Sequence, residues 1–531
     1  MTLKQKIKKQ DAEEVATIIA TSREVSVAHA PRILLLKPYQ DAPTLLFSPP
    51  LGLLYLVSAL RQKFGSALVV DMVDMKLHRQ SPEWLMEKLV AFKPDIVGVS
   101  ALNFEAYASH RIAAIVGRWN PACVRVLGGP YALHQSVPVF AESHFDWVFE
   151  GTADRTFPEA VRRHMVGEDL GTDLPGFSWR KMAASGEEIA RHVTDKVDVI
   201  SDLDALPMPA WDLCEFELYA KRPSFNVFAK PGRYATLFTS RGCPYLCSYC
   251  HDIFTKKFKW RSTQSVLDEI EHLYTQYGVR EFQIVDDIFN LHKPRLVEIM
   301  QEVYRRWPGQ LKFSFPNGLR ADILDEEAID ALVKAGTYFT ALAVETVTPR
   351  LQNMIEKYLD IEKTRWAINT FEARGVSVSG FFMLGFPTET AEELEATIRF
   401  AIDSGLSLAH FFTVVPQPET PLYAQAAKEG AAQLEIIRQH EMQGGSYHSD
   451  LSWYQLTYKI PLVTILRKAN WRFYSRPSRA IKLLWRWPKM ALLRNVSNIL
   501  HLLIPGWFKL ISRQSPQNLP PAAPSTLGAA D

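Results

Sequence analysis

Between Ala235 and about Tyr423, short apolar runs alternate with amphipathic segments, strand then helix, six times over. Such a chain can pair its strands only in parallel, because each return to the same end of the sheet needs a crossover. Crossovers of one hand curl the sheet into a barrel or part of one. The strands read as Ala235 to Thr239, Phe282 to Val285, Phe313 to Phe315, Phe339 to Val344, Val376 to Leu384 and Ala409 to Val415. Helix punctuation agrees. Gly278 ends a helix that starts near Ser262, and Pro294 opens the next at a position proline tolerates. Pro308-Gly309 stops that one, Asp325 caps a helix that Gly336 ends, and Thr390-Ala-Glu-Glu393 forms a capping box before a helix ending at Gly405. In such folds functional groups collect at the carboxyl ends of the strands. Those positions hold the loop after the first strand, Asp286 and Asp287 with Asn290, Asn317 and Arg320, then Glu345, Gly385-Phe-Pro387 and Pro416-Gln417.

The first of these loops is Arg241-Gly-Cys-Pro-Tyr-Leu-Cys-Ser-Tyr-Cys-His251, which sets Cys243, Cys247 and Cys250 in a C-x3-C-x2-C spacing. Three thiolates on one short loop can hold three irons of a [4Fe–4S] cube and leave the fourth open to a small molecule. Cys3His zinc is a second reading, since His251 follows at once, although zinc loops usually pair two knuckles and no second knuckle exists here. Cys247-Ser-Tyr-Cys250-His251 also matches C-x-x-C-H, the haem-attachment pattern, which needs export, and no signal peptide is evident at the N-terminus. The other two of the five cysteines, Cys123 and Cys214, are isolated, so a disulfide framework does not fit and both read as buried, inert thiols.

Upstream, residues 31–165 show the same alternation on a smaller scale. Ile33 to Leu36, Leu68 to Val73, Ile96 to Val99, Val124 to Leu127 and Asp146 to Phe149 read as strands separated by helices. This predicts a doubly wound, Rossmann-like parallel sheet, whose ligands sit beyond the carboxyl ends of the strands. The loops there are Ser48-Pro-Pro-Leu-Gly52, Ser100-Ala-Leu-Asn103, Gly128-Gly-Pro130 and Glu150-Gly151.

C-x3-C-x2-C with Tyr249 just before the last cysteine resembles the signature of the radical S-adenosylmethionine (SAM) superfamily. The resemblance implies that the open iron chelates SAM and that the reduced cluster cleaves it to methionine and a 5′-deoxyadenosyl radical. It also implies a partial (β/α)6 barrel, in agreement with the strand count. Asp286-Asp287 matches the place where that family sets backbone against the SAM amino group. Ala343-Val-Glu345-Thr is a variant of the family's G-I-E-S, lacking its glycine and serine, and implies a polar contact from Glu345 to SAM. Phe382-Met-Leu-Gly-Phe-Pro-Thr-Glu389 resembles F-M-L-G-x-P-G-E-T, which puts Gly385 in the region lining the adenosine pocket, with Tyr249 near the adenine.

The upstream pattern Pro-Pro-Leu-Gly-Leu-Leu-Tyr-Leu, Pro94-Asp-Ile-Val-Gly-Val-Ser100, Leu127-Gly-Gly-Pro130 and Glu150-Gly151 resembles the cobalamin-binding domain of B12-dependent radical SAM enzymes. Pro50, Gly52, Ser100, Gly128 and Gly129 are then the expected cobalamin contacts. Asp74-Met-Lys-Leu-His78 does not fit the D-x-H-x-x-G motif of many cobalamin domains, which leaves the lower axial position of cobalt unassigned. Together the resemblances imply a cobalamin-dependent radical SAM enzyme that functionalises an unactivated C–H, by methyl transfer to a small or lipophilic metabolite. An external donor of the flavodoxin or ferredoxin type would reduce it. Oxidative cyclisation or rearrangement stays open, as does a non-catalytic cluster or cobalamin sensor, and no catalytic side chain is singled out.

The remaining segments are a 1–30 arm, a 166–232 linker with proline-set Leu206-Pro-Met-Pro209, a 426–513 helical region and a 514–531 tail rich in proline and alanine. After Asp450 no acid occurs before Asp531, while Lys459, Arg467, Lys468, Arg472, Arg476, Arg479, Lys482, Arg486, Lys489 and Arg494 interleave with Trp453, Trp471, Trp485, Trp487 and Trp507. Two readings fit: helices lying in an anionic membrane surface, or a helical cap packed on the barrel with solvated cations. A net charge of +2 over 531 residues argues against a nucleic-acid binder. With few cysteines and no apolar run long enough to span a bilayer, the chain is expected in the cytoplasm, soluble or peripheral to the inner face of the membrane.

Overall fold

In the computed structural model, residues 30–486 are described except 40–45, 143, 184–186, 196–199, 201, 227, 230–231, 251–252 and 443–451. Strand β1 (Arg32–Lys37) buries four consecutive residues, Ile33 to Leu36. Ile33 and Leu35 join one apolar cluster, Leu34 and Leu36 another. Alternate side chains thus feed two layers, as a strand with helices on both faces requires. β1 pairs in parallel with β2 (Val69–Asp74) and β3 (Ile96–Ser100). β4 (Val124–Gly128) and β5 (Trp147–Phe149) extend the sheet in the same direction. The order β2-β1-β3-β4-β5 reverses between β1 and β3, which opens a crevice at that carboxyl edge.

The sheet does not stop there. β6 (Phe177–Met182) and β7 (Glu188–His192) add to β5 as an antiparallel hairpin and make seven strands. The expectation of a patternless linker over 166–232 is therefore corrected. β7 is exposed along almost its whole length and carries charge, so it leaves no apolar run to read. What anchors the hairpin is Phe177, stacked on Phe149 at 4.7 Å.

The second sheet starts with β8 (Tyr234–Leu237). A short antiparallel pair, β9 (Ser240–Arg241) and β10 (Lys259–Trp260), follows it. Then come β11 (Glu281–Ile284), β12 (Lys312–Leu319), β13 (Thr337–Glu345), β14 (Ser377–Leu384) and β15 (Leu408–Thr413). Six strands run parallel in the order β15-β14-β13-β12-β11-β8, with β8 and β15 as edges. The expected caps form, Asp325 accepting a backbone N–H and Thr390 and Glu393 completing a capping box, and Ser262, where a helix was expected to start, caps it as well.

One helix joins the two sheets. In Leu51–Phe64, residues Leu53, Val57 and Leu60 pack into the first sheet, while Leu51, Leu54 and Tyr55 belong to the barrel core. The connecting segment seals this seam: Trp211 donates to Glu269 at 2.9 Å and Tyr219 to Asp74 at 2.7 Å.

Beyond the barrel, helices Pro421–Met442, Trp453–Tyr458, Leu462–Tyr474 and Pro477–Arg486 cover the β15 side. Tyr474 exchanges hydrogen bonds with Ala409, capping that edge strand. Arg472 pairs with Glu395, Arg476 with Asp403, and both Lys482 and Arg486 with Glu372. Much of the basic excess therefore neutralises acids on the barrel's own helices. Trp453 is buried, whereas Trp471, Ile481 and Trp485 are exposed. The arm up to residue 29, Trp487, Lys489, Arg494, Trp507 and the tail lie outside the described residues. No helix among the described residues is long and apolar enough to cross a membrane.

Candidate functional site

The cysteine loop leaves β9 and returns at β10, so Arg241 and Lys259 staple its base. The next strand locks that staple. Asp286 accepts from the Thr239 N–H at 2.6 Å, from the Thr239 hydroxyl at 2.5 Å and from the Ser240 hydroxyl at 2.6 Å. Its carboxylate is wholly engaged there and does not line the site. Asp287 does: its Oδ2 accepts the Gly242 N–H at 2.9 Å, and it borders the cavity described below. Burial raises the pKa of Asp286 above the usual carboxyl range and pushes Asp287 to about 6. Gly242 has φ +84°, and a Cβ there would lie 2.4 Å from the Lys257 carbonyl oxygen. Only glycine fits this corner.

Cys243, Cys247 and Cys250 line one cavity of about 330 Å³ together with Tyr245, Tyr249, Asp287, Asn317, Arg320, Glu345 and Lys357. Glu345 ends β13 with φ +65°, a left-handed conformation that a side chain other than glycine adopts at a cost. Its Oε1 accepts from the Tyr249 hydroxyl at 3.2 Å and from Lys357 Nζ at 3.1 Å, and Lys357 also donates to the Tyr249 oxygen at 3.3 Å. Burial beside Glu345 lifts the Tyr249 phenol well above its ordinary value, so it stays a donor. The Arg320 guanidinium stacks 3.7 Å from the Tyr245 ring centre, forks onto Asp322 and donates to the Lys357 carbonyl. Asn290 holds the Arg320 backbone, and Asn317 donates to the Asp286 carbonyl at 2.9 Å. Carboxylates and cations thus meet in one small chamber, an arrangement suited to a zwitterion such as an amino-acid group.

Among the described residues no three His, Cys, Asp or Glu side chains converge as the ligands of a single ion do. The three thiols border one cavity, and in a cluster each thiolate ligates its own iron. His251, the fourth ligand of the zinc reading, lies outside the described residues. Cys123 and Cys214 are buried elsewhere, and burial raises both thiols, as expected of inert cysteines.

Gly385, the remaining barrel residue expected at the site, faces away from this cavity. Its φ is +95°, and a Cβ would lie 2.5 Å from Leu462 and 3.0 Å from Tyr454. The turn is held by Glu389, which accepts the Gly385 and Phe386 N–H groups at 2.5 and 3.0 Å and is pushed by burial to about 8. Phe386 then meets the Tyr249 ring edge-on at 6.4 Å, so the loop supports Tyr249 from behind.

On the first sheet, Pro50 precedes the helix that bridges the sheets, Ser100 and Gly128 end β3 and β4, and Gly129 begins the turn after β4. Gly129 has φ +83°, with Ser100 Oγ and the Ala101 oxygen each 2.8 Å from where a Cβ would be, so this turn also requires glycine. Around Gly52 and Gly128, by contrast, a Cβ would meet nothing within 4 Å, leaving open floor at the crevice edge. His78 pairs with Glu215 at 2.6 Å.

The carboxyl ends of the two sheets meet. Asn103, after β3, donates to Gln417, after β15, at 2.7 Å, and Arg241 pairs with Asp154, after β5, at 2.8 Å. Sequence reasoning missed Lys357 and the Arg241–Asp154 pair. Lys357 lies in a loop without a recognisable motif. The sequence signal for Arg241 was only its place two residues before Cys243.

Residues 237–401 match the radical SAM superfamily. The chain is 28% identical over 449 residues to the uncharacterized methyltransferase PH0819 of Pyrococcus horikoshii, spanning 82% of this chain and 89% of that protein. It is 29% identical over 382 residues to the anaerobic magnesium-protoporphyrin IX monomethyl ester cyclase of Rubrivivax gelatinosus, spanning 71% and 66%. Its fold is similar to that of TsrM from Kitasatospora setae, a radical S-adenosylmethionine methyltransferase solved with cobalamin and a [4Fe-4S] cluster bound. There the TM-score is 0.59 at 21% identity, over 76% of this chain and 78% of that one.

Proposed function

We propose that this chain, a radical SAM enzyme, works with a [4Fe–4S] cluster, SAM and cobalamin, and methylates an unactivated carbon of a small or lipophilic metabolite. The observation that carries the reading is one cavity in which three thiols of one loop meet carboxylates and cations, on a barrel whose strand ends touch the carboxyl edge of a second α/β sheet through Asn103–Gln417 and Arg241–Asp154. When bound, the cluster and SAM supply a hydrogen-abstracting radical, and methylated cobalamin supplies the transferred carbon.

In this reading Cys243, Cys247 and Cys250 hold the cluster, and Asp287 fixes their loop through the Gly242 N–H. Glu345 accepts from the SAM ammonium, Lys357 donates to its carboxylate, and Tyr249 borders the adenosine. Pro50, Gly52, Ser100, Gly128 and Gly129 form the cobalamin cradle, and the open floor at Gly52 and Gly128 suits a bulky planar group. The carboxylate of Asp286 and the turn at Gly385 act one layer out, by holding β9 and Tyr249. An external flavodoxin- or ferredoxin-type donor supplies the electron. Peripheral membrane contact, if made through the described residues, uses Trp471, Ile481 and Trp485.

A second reading, oxidative cyclisation, draws on the comparable identity to the cyclase of Rubrivivax gelatinosus. One experiment separates the readings. Anaerobically reconstituted protein is given SAM, reductant and hydroxocobalamin together with candidate substrates. Four irons and one cobalt per chain, with both 5′-deoxyadenosine and S-adenosylhomocysteine formed, support methyl transfer. Deoxyadenosine without S-adenosylhomocysteine supports cyclisation or rearrangement. Zinc in place of iron, or no SAM turnover with any candidate, overturns both.

A further inference from the structure

Arg241 occupies an unusual place. It lies two residues before the first cysteine of the loop, yet its guanidinium leaves the barrel and enters the first domain. Nη1 donates to Asp154 at 2.8 Å, and both residues are only 7% exposed. Aromatic rings surround the cation: Tyr55 at 5.0 Å, from the helix shared by the two sheets, Phe254 at 5.4 Å, from the wall of the cysteine cavity, and Phe238 at 5.9 Å. A buried pair of this kind cannot loosen on one side without stranding a charge on the other.

Each end of the pair is fixed to a ligand edge. On the barrel side, residues 239–242 are tied to Asp286 and Asp287 and to β10. On the other side, Asp154 belongs to the loop after β5, whose Glu150 is buried and accepts from Ser136 Oγ and, at 3.1 Å, from the His134 N–H. Those two residues follow the Gly128-Gly129 turn. Two sets of polar contacts, Glu150 with His134 and Ser136 and Asp154 with Arg241, joined by the short backbone segments 129–134, 150–154 and 241–243, therefore connect the floor of the first sheet's crevice to Gly242 and Cys243.

We infer that Arg241 and Asp154 are a positioning pair that couples the ligand edge of the first sheet to the cysteine loop. A ligand seated on one edge thereby changes the affinity of the other. The ligand-dependent half of this inference rests on the function proposed above; the mechanical half does not. By linkage the coupling is reciprocal, and a pair of this kind is expected to change affinity by about tenfold.

The test uses the full chain and the variants Asp154→Asn, Asp154→Glu and, as a control, Asp146→Asn, which breaks an ion pair with Arg125 confined to the first sheet. In cofactor-free protein, hydrogen exchange of the segment 239–250 is expected to speed up in Asp154→Asn, to be largely restored in Asp154→Glu and to be unchanged in Asp146→Asn. Equal protection in wild type and Asp154→Asn overturns the mechanical link. On reconstituted protein, the Kd for SAM is measured with and without hydroxocobalamin. Wild type is expected to differ about tenfold between the two conditions, and Asp154→Asn to lose that difference while still binding each ligand alone. A wild-type ratio of one, or a ratio that survives Asp154→Asn, overturns the coupling. If wild type binds no hydroxocobalamin, the functional proposal fails, and the exchange experiment alone decides the link.

Discussion

Replacing Gly242 by alanine tests the cysteine loop at its tightest corner. The added Cβ would lie 2.4 Å from the Lys257 oxygen and 3.0 Å from the Thr255 oxygen, against ordinary contact from 3.4 Å outward. The loop must therefore open by about 1 Å (3.4 − 2.4) at a point where backbone faces backbone. Alanine at φ +84° adds about 1–2 kcal/mol of left-handed strain. Moving the Gly242 N–H away from Asp287 loses a hydrogen bond to a carboxylate, worth about 1.5–3 kcal/mol. A local loss of roughly 2.5–5 kcal/mol is enough to unfasten the β9–β10 staple. The apolar core lies elsewhere, so the thermal midpoint is expected to fall only modestly. Iron bound per chain after anaerobic reconstitution is expected to drop below half, with faster hydrogen exchange over 239–260. Wild-type iron content and protection in the alanine variant would refute the reasoning.

Three further outcomes follow from the same geometry. Lys357→Met leaves Glu345 buried without its cation, so SAM binding is expected to weaken roughly tenfold or more at unchanged iron content; equilibrium dialysis against SAM checks this, and an unaltered Kd removes Lys357 from the site. Glu389 titrates near 8 in the folded chain, above its ordinary 4.5. The native state therefore binds the extra proton between those values, and stability falls as pH rises through that window. Glu389→Gln should flatten the decline in melting temperature between pH 5 and 8.5, and an unchanged slope would assign it to other groups. Changing Trp471, Ile481 and Trp485 together to serine should abolish any co-sedimentation with anionic vesicles. Point changes are used rather than a truncation, because Trp453, Tyr454 and Phe473 belong to the barrel core.

Much of this was legible along the chain. Both runs of strand and helix, the caps at Ser262, Asp325 and Thr390, and the cysteine loop depend on residues within a few positions of one another. The strand ends drifted only slightly, except at β12 (Lys312–Leu319), which runs on through Pro316 and Gly318 past the apolar stretch. The β6–β7 hairpin escaped notice because an exposed edge strand has no buried face to impose a pattern. Asp286 and Gly385 sat in readable motifs, yet one turned its carboxylate onto the Thr239 N–H and the Thr239 and Ser240 hydroxyls and the other faced Leu462. A motif identifies a position on the chain, but not which way its side chain turns.

The sequence by itself determined the two runs of parallel strands and the thiol loop, since periodicity and capping are local and the cysteines lie within one short loop. Tertiary structure alone decided which charges meet. Lys357 closes on Glu345 and Tyr249 only once β13 and the cysteine loop are packed. The C-terminal cations find Glu372, Glu395 and Asp403 only across a helix interface. Arg241 reaches Asp154 across 87 residues of chain, and Asn103 reaches Gln417 across 314. Polar contacts of that span leave no periodic trace, because they depend on where two separately folded edges come to rest against each other.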